Sequence, residues 1–186
     1  MAPMISAVIT SLDDERRLTA SLASLASAAV DGLVREAILV DLGADAAVRE
    51  AADDAGARML AAASAAEGLA AACAAARGPW ILLLTCGVRL QSGWEHAARR
   101  HIERHPEQAG WFALALDADG VGARLGEALA AAGAGWLGRP QPRQGLLISR
   151  RLFERAAGQA GAVTHERLVR RLGGRGLRAL GVRALS

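Results

Sequence analysis

The chain has 186 residues, of which 52% are hydrophobic and 22% charged, and its formal net charge is +3. That length and balance suit one globular domain, residues 1–186, with a sizeable core. No apolar run approaches the roughly 20 residues of a membrane helix, and the amino terminus lacks the basic flank and long apolar region of a signal peptide.

The expected location is therefore the cytoplasm. Cys73 and Cys86 form neither a CxxC pair nor a zinc pattern, so they are expected as free thiols. All 22 basic residues are Arg, and there is no Lys, Asn or Tyr. The charge is uneven: residues 139–186 hold eleven Arg against two Glu, a net of +9, and the rest of the chain carries −6. A basic segment can face phosphate, anionic lipid or nucleic acid. A solvated helical surface is the favoured reading, because aromatic interleaving and nucleic-acid motifs are absent.

In chain order, Ile5 to Thr10 reads as a strand. A polar turn follows, in which Asp13 or Asp14 can cap a helix. Leu18, Leu22 and Leu25 keep helical spacing to about Ala28. Ala37 to Val40 is a second strand ending at Asp41. Gly43 allows a tight turn, and Asp45 can cap the helix from Ala46 to Ala55. Arg58 to Leu60 is a short strand, and Ala65 to Ala76 an Ala-rich helix stopped by Gly78-Pro79. Trp80 to Leu84 is a short apolar run between turn signals, the mark of a strand buried on both faces. A helix from about Gly93 to Arg104 follows. Trp111 to Leu116 is a strand ending in the turn Asp117 to Gly120, and Leu125 to Ala132 is helical. A Gly- and Pro-containing loop runs from Gly133 to Gln144 and carries Trp136 and Leu137. Leu146 to Ser149 is a strand, and Arg151 to Ala157 and His165 to Leu172 are helices.

Alternating strands and helices with buried strands predict an α/β fold: a mainly parallel sheet with helices on both faces. Ligands of such sheets sit beyond the carboxyl ends of the strands. Thr85, Cys86 and Gly87 lie at such an end but include no carboxylate and no histidine. Asp41 either accepts from a ribose hydroxyl or caps its own turn. Asp117 and Asp119 read as turn chemistry. His96, His101 and His105 read as a surface face rather than a metal site. Glu67 and Arg89 border the same rim.

Five segments, taken in order, resemble family 2 glycosyltransferases of GT-A fold, and most closely the short bacterial members. They are ISAVITSLDDERRLTASLASL, EAILVDLGADAAVREAADDAGARML, AAARGPWILLLTCGVRLQSGW, PRQGLLISRRLFERAAG and THERLVRRLGGRG. The resemblance implies transfer of a sugar from a nucleotide-sugar donor. It implies that Ser11, Asp13, Asp41 and Gly43 hold the nucleobase and ribose. It places the acceptor base at His165, between Thr164 and Glu166, and a His can act as a base near neutral pH. Several polar positions depart from the family. Thr85-Cys86-Gly87 stands where the family has a metal-binding Asp-x-Asp, so no metal site and no divalent cofactor is expected. Ala65, Gly68 and Ala70 replace an Arg, Gln and Asn, and Arg143-Gln144 replaces Asp-Gln. Three readings stay open: a family 2-like transferase with altered ligands, a non-catalytic relative that binds or assembles with a protein partner or as a homo-oligomer, and an Arg-rich phosphate or nucleic-acid binder. Impaired metal-dependent activity is the expectation for the chain alone.

Overall fold

The apolar run at Trp80 alternates its side chains between two cores. Trp80, Leu82 and Leu84 enter one cluster, and Ile81 and Leu83 the other. The computed structural model describes residues 4–10, 12, 14–115, 140–158 and 162–185. Its strands are β1 (Ile5–Thr10), β2 (Val34–Asp41), β3 (Arg58–Ala61), β4 (Trp80–Thr85), β5 (Arg89–Leu90), β6 (Ala109–Ala115), β7 (Leu146–Ser149) and β8 (Leu177–Leu185). Its helices are α1 (Glu15–Ala23), α2 (Ala26–Val30), α3 (Ala46–Asp54), α4 (Ala65–Ala75), α5 (Trp94–Arg104), α6 (Arg150–Ala157) and α7 (His165–Leu172).

The eight strands form one sheet in the order β3-β2-β1-β4-β7-β6-β8-β5. β1 lies between β2 and β4 and is parallel to both, as the three apolar runs predict. β2 and β3 are also parallel. Beyond β4 the sheet is mixed: β7 runs antiparallel to β4 and to β6, β8 is parallel to β6, and β5 is antiparallel to β8. Helices cover both faces. Leu18, Ala28, Val48 and Trp94 bring α1, α2, α3 and α5 to one core. Leu69, Cys73, Phe153 and Leu168 bring α4, α6 and α7 to the other. Burial pushes the Cys73 thiol up to about 12, so it stays protonated and inert.

Side-chain caps start five of the seven described helices, two of them, at Asp14 and Asp45, as the sequence predicts. Asp14 accepts from Arg17 N–H, Asp45 from Val48, Ser64 from Glu67, Ser149 from Leu152 and Thr164 from Arg167. Each satisfies an amide that has no partner within its helix. Arginines close helix ends. Arg150 Nη1 reaches the carbonyls of Cys73 and Ala74 in α4, and Arg171 Nη1 donates to those of Ala156 and Ala157 in α6. Cations there complement the helix dipole.

The amino edge of the sheet is locked by one carboxylate. Glu36 Oε1 accepts from Ser6 Oγ at 2.6 Å and from Arg77 N–H at 2.6 Å, and Ser6 Oγ accepts from Gly78 N–H at 2.8 Å. Burial raises the Glu36 pKa, but these hydrogen bonds and the charges of Arg77 and Arg58 outweigh it, and the net shift is downward. A Cβ on Gly78 would stand 2.9 Å from Met4 O, Ser6 N and Ser6 Oγ, so only glycine lets β4 start this close to β1.

The structure departs from the sequence reading in four places. The first helix breaks at Ser24, whose Oγ donates back to Ser21 O at 2.7 Å, a local bond that competes with the helix. α2 then continues to Val30. The sequence reading has neither β5 nor β8. β5 is two residues long, and β8 slips register against β6 between Trp111 and Ala113, which blurs any period of two. His101 is not on a surface face: it is 3% exposed, its Nε2 lies 3.0 Å from Gln108 O, and its ring meets Trp80 edge-on at 6.0 Å. Residues 117–120, 125–132, 136 and 137, which carry the predicted Asp-rich turn, helix and loop aromatic, lie outside the described residues.

Candidate functional site

Strand order decides where loops at the carboxyl edge part. From β1 the chain moves to β2 and β3 on one side, then returns to lay β4 on the other side of β1. A crevice opens at such a reversal, outside the carboxyl ends of the two central strands. Thr10 and Thr85 lie side by side there in register. Asp41 ends β2, the next strand along.

Asp41 is a turn cap in this structure. Its Oδ1 accepts from Gly43 N–H at 2.8 Å and Ala44 N–H at 2.6 Å, and its Oδ2 lies 3.2 Å from Arg49 Nη2. The amides of Ala44 and Gly43 hold its pKa below the ordinary aspartate range, with a smaller contribution from Arg49. Ser11 and Asp13, assigned to the same mouth by the sequence, lie outside the described residues.

The β4–β5 turn carries Thr85, Cys86 and Gly87. Thr85 Oγ1 donates to Pro142 O at 3.3 Å, which ties the Pro142–Gln144 turn to the end of β4. Gln144 is structural here, since its Nε2 donates to Phe112 O and its Oε1 accepts from Gln141 N–H. Cys86 is buried, with Sγ 3.9 Å from Asp14 O. Two residues of α1 reach this turn. Ser21 Oγ accepts from Gly87 N–H at 2.9 Å, and Arg17 Nη2 donates to Cys86 O at 3.1 Å. The sequence reading missed both. Their i, i+4 spacing puts them on one helix face, but nothing local connects that face to a turn 66 to 69 residues away.

A hard divalent ion needs several oxygen ligands, carboxylates above all. This turn offers a hydroxyl already donating to a carbonyl, a buried thiol, and a carbonyl already bonded to a guanidinium. The residues do not fit such an ion. Among the described residues, no group of three or more His, Cys, Asp or Glu is placed to hold a metal.

His165 opens α7. Val163 N–H donates to Ala66 O at 3.0 Å, and Ala62 N–H donates to Asp41 O at 2.9 Å. These bonds bring the start of α7 to the start of α4, and the chain before α4 to the end of β2, so His165 and Asp41 share the carboxyl edge. Both ring nitrogens of His165 are buried with no hydrogen-bond partner among the described residues. Burial lowers its pKa, opposed by the Glu166 charge, so the ring is neutral at pH 7. Glu166 is exposed in the first helical turn. An open groove between α1–α2 and α3, lined by Ala26, Glu50 and Ala51, contains none of these residues.

No protein-family model matches the chain, and no curated protein matches it. Solved structures do match. The mannosyltransferase PcManGT from Pyrobaculum calidifontis, in complex with GDP-Man and Mn²⁺, aligns with a TM-score of 0.70 at 13% identity, over 100% of this chain and 57% of that one. The chain has a GT-A-like fold. Glucosyl-3-phosphoglycerate synthase from Mycobacterium tuberculosis, in complex with Mn²⁺ and UDP-Glc, aligns with a TM-score of 0.61 at 22% identity, over 95% of this chain and 68% of that one. A mycobacterial protein gives a TM-score of 0.62 at 22% identity, over 98% of this chain and 65% of that one. At these identities the likeness is one of fold, and the chain is shorter than each of the three. Among the described residues, no helix is long and apolar enough to cross a membrane.

Proposed function

We propose that residues 1–186 form a single glycosyltransferase-like domain that binds a nucleotide sugar at the carboxyl edge of β1, β2 and β4, and that ordinary metal-dependent transfer by this chain is impaired. The observation that carries the reading is the reversal of strand order between β1 and β4, with Asp41 at the adjoining strand end, in a fold shared with proteins solved with UDP-Glc or GDP-Man. In this reading Ser11, Asp13, Asp41 and Gly43 hold the nucleobase and ribose. His165 takes the position of the acceptor base, with Glu166 beside it. A neutral imidazole has the lone pair that a base needs, but both of its nitrogens are buried.

A second reading is a non-catalytic relative that binds nucleotide and assembles with a protein partner or with itself. It is favoured by the internal commitments of the edge: Asp41 to its own turn and Thr85 to Pro142 O. The nucleic-acid reading loses support from the carboxyl-terminal arginines. Arg150 and Arg171 close helices, and Arg151 and Arg155 pair with Glu107. The proposed location is the cytoplasm.

The test is incubation of the purified protein with UDP-glucose and GDP-mannose, with and without Mn²⁺, with release of the nucleoside diphosphate as readout and calorimetry for binding. Binding without Mn²⁺-stimulated turnover is expected. Turnover that drops sharply in His165→Ala would reveal a working enzyme with a substituted base. Failure to bind either donor would remove the nucleotide-binding reading altogether.

A further inference from the structure

We infer that the groove between α1–α2 and α3 receives the arginine-bearing face of a second copy of this chain, in a head-to-tail assembly. The groove has a volume of about 1370 Å³. Small apolar side chains line it, among them Ala26, Ala29, Ala47 and Ala51, and Val30 stands in the same lining 88% exposed. The lining also carries Glu15, Asp31, Glu50 and Asp54, all exposed and none in an ion pair among the described residues. Arg35 is the one cation among the lining residues. Two of these acids sit where a helix disfavours them. Asp31 follows the last residue of α2 and Asp54 is the last residue of α3, and neither helix has a basic residue in its last turn. A helix is already negative at that end, so both charges oppose their own helices until a cation from outside offsets them.

The chain itself carries a complementary surface. α7, the Gly174–Gly176 turn and the start of β8 expose Arg170, Arg175 and Arg178, and none of the three is in an ion pair among the described residues. Arginine suits a groove of this kind. Its aliphatic stem covers apolar surface while its guanidinium forks onto a carboxylate. The two surfaces cannot meet within one chain. The groove lies on the sheet face covered by α1, α2 and α3, at the β2 end of the strand order. Leu168 places α7 on the opposite face, and β8 lies towards the other end of the order. Contact between them therefore joins different copies. Groove against groove would set acid against acid, so the favoured contact is heterologous, and a heterologous contact repeats from copy to copy into a ring or an open chain.

The experiment is sedimentation equilibrium of the full chain, without nucleotide, over a concentration series at about 0.01 M and about 1 M salt, between which the screening length falls from about 30 Å to about 3 Å. Expected is self-association at low salt that weakens by roughly tenfold or more at high salt. The double variant Glu50→Arg with Asp54→Arg should be monomeric, and so should Arg170→Glu with Arg175→Glu, because each then carries one sign on both surfaces. Mixed together, the two variants should associate again, since each surface of one then meets its opposite on the other. Thermal unfolding of each variant checks the fold, and if either fails to fold, the wild-type salt series decides alone. A wild type that is monomeric at low salt would overturn the inference and leave the groove to a different protein. Association that persists undiminished at high salt or in the Glu50 and Asp54 variant, or a mixture that stays monomeric, would overturn it too. With no nucleotide present, these outcomes are separate from those of the donor-binding test.

Discussion

Asp41 carries two roles, and two substitutions separate them. In Asp41→Ala the amides of Gly43 and Ala44 lose their shared acceptor, now 2.8 and 2.6 Å away. Each such bond contributes about 0.5–1.5 kcal/mol net, and water recovers part of this in an exposed turn, so a loss of about 1–2 kcal/mol is expected. That lowers the melting temperature by roughly 3–6 °C in a chain of this size. The Arg49 pair adds little, because the Arg49 side chain is 55% exposed. Asp41→Asn keeps an oxygen for both amides as an Asx turn and should cost less than about 0.5 kcal/mol. For a ribose hydroxyl, losing the carboxylate should weaken nucleotide binding by about 1–3 kcal/mol in Asp41→Ala, and the uncharged amide of Asp41→Asn should recover only part of it. Urea unfolding measures the first quantity and calorimetric titration with UDP and GDP the second. An alanine variant as stable as the wild type would refute the capping argument. An asparagine variant that binds as tightly as the wild type would show that the charge of Asp41 does nothing for the ligand.

Gly78→Ala should destabilise by about 1–3 kcal/mol, since two of the three atoms its Cβ meets at 2.9 Å are backbone and must shift together; an unchanged urea midpoint would show that the amino edge has slack. Trp94, 1% exposed, donates from Nε1 to Ser24 O at 3.1 Å and meets Phe112 edge-on at 6.4 Å. Trp94→Phe should cost about 1–3 kcal/mol and Trp94→Ala about 3–5 kcal/mol in the same assay, and the reverse order would contradict the packing. The Glu36 pKa is lower in the folded chain than its ordinary 4.5. Its contribution to stability is therefore complete above that value and is lost as the pH falls through the folded value. Melting curves across that range should show this loss, and Glu36→Gln should be less stable at neutral pH and less sensitive to acid. Equal acid sensitivity in both proteins would mean that other carboxylates dominate.

The local parts of this structure were legible in the residues. Trp80 to Leu84 reads as a doubly buried strand because five apolar residues between turns have no other place to go. Asp14 and Asp45 precede their helices because a helix start needs an acceptor within three residues. The candidate site was legible only as a location, the ends of β1, β2 and β4. What fills that place was not. Arg17 meets Cys86 from 69 residues away and Ser21 meets Gly87 from 66, Gln144 meets Phe112 across 32, and Glu36 joins Ser6 across 30. The antiparallel insertion of β7 beside β4, which brings the Pro142 turn to Thr85, is likewise a matter of strand order. Periodicity and capping act within a few residues of the chain, so they specify elements. Which side chain faces which turn depends on how the sheet is ordered, and only the packed fold settles that.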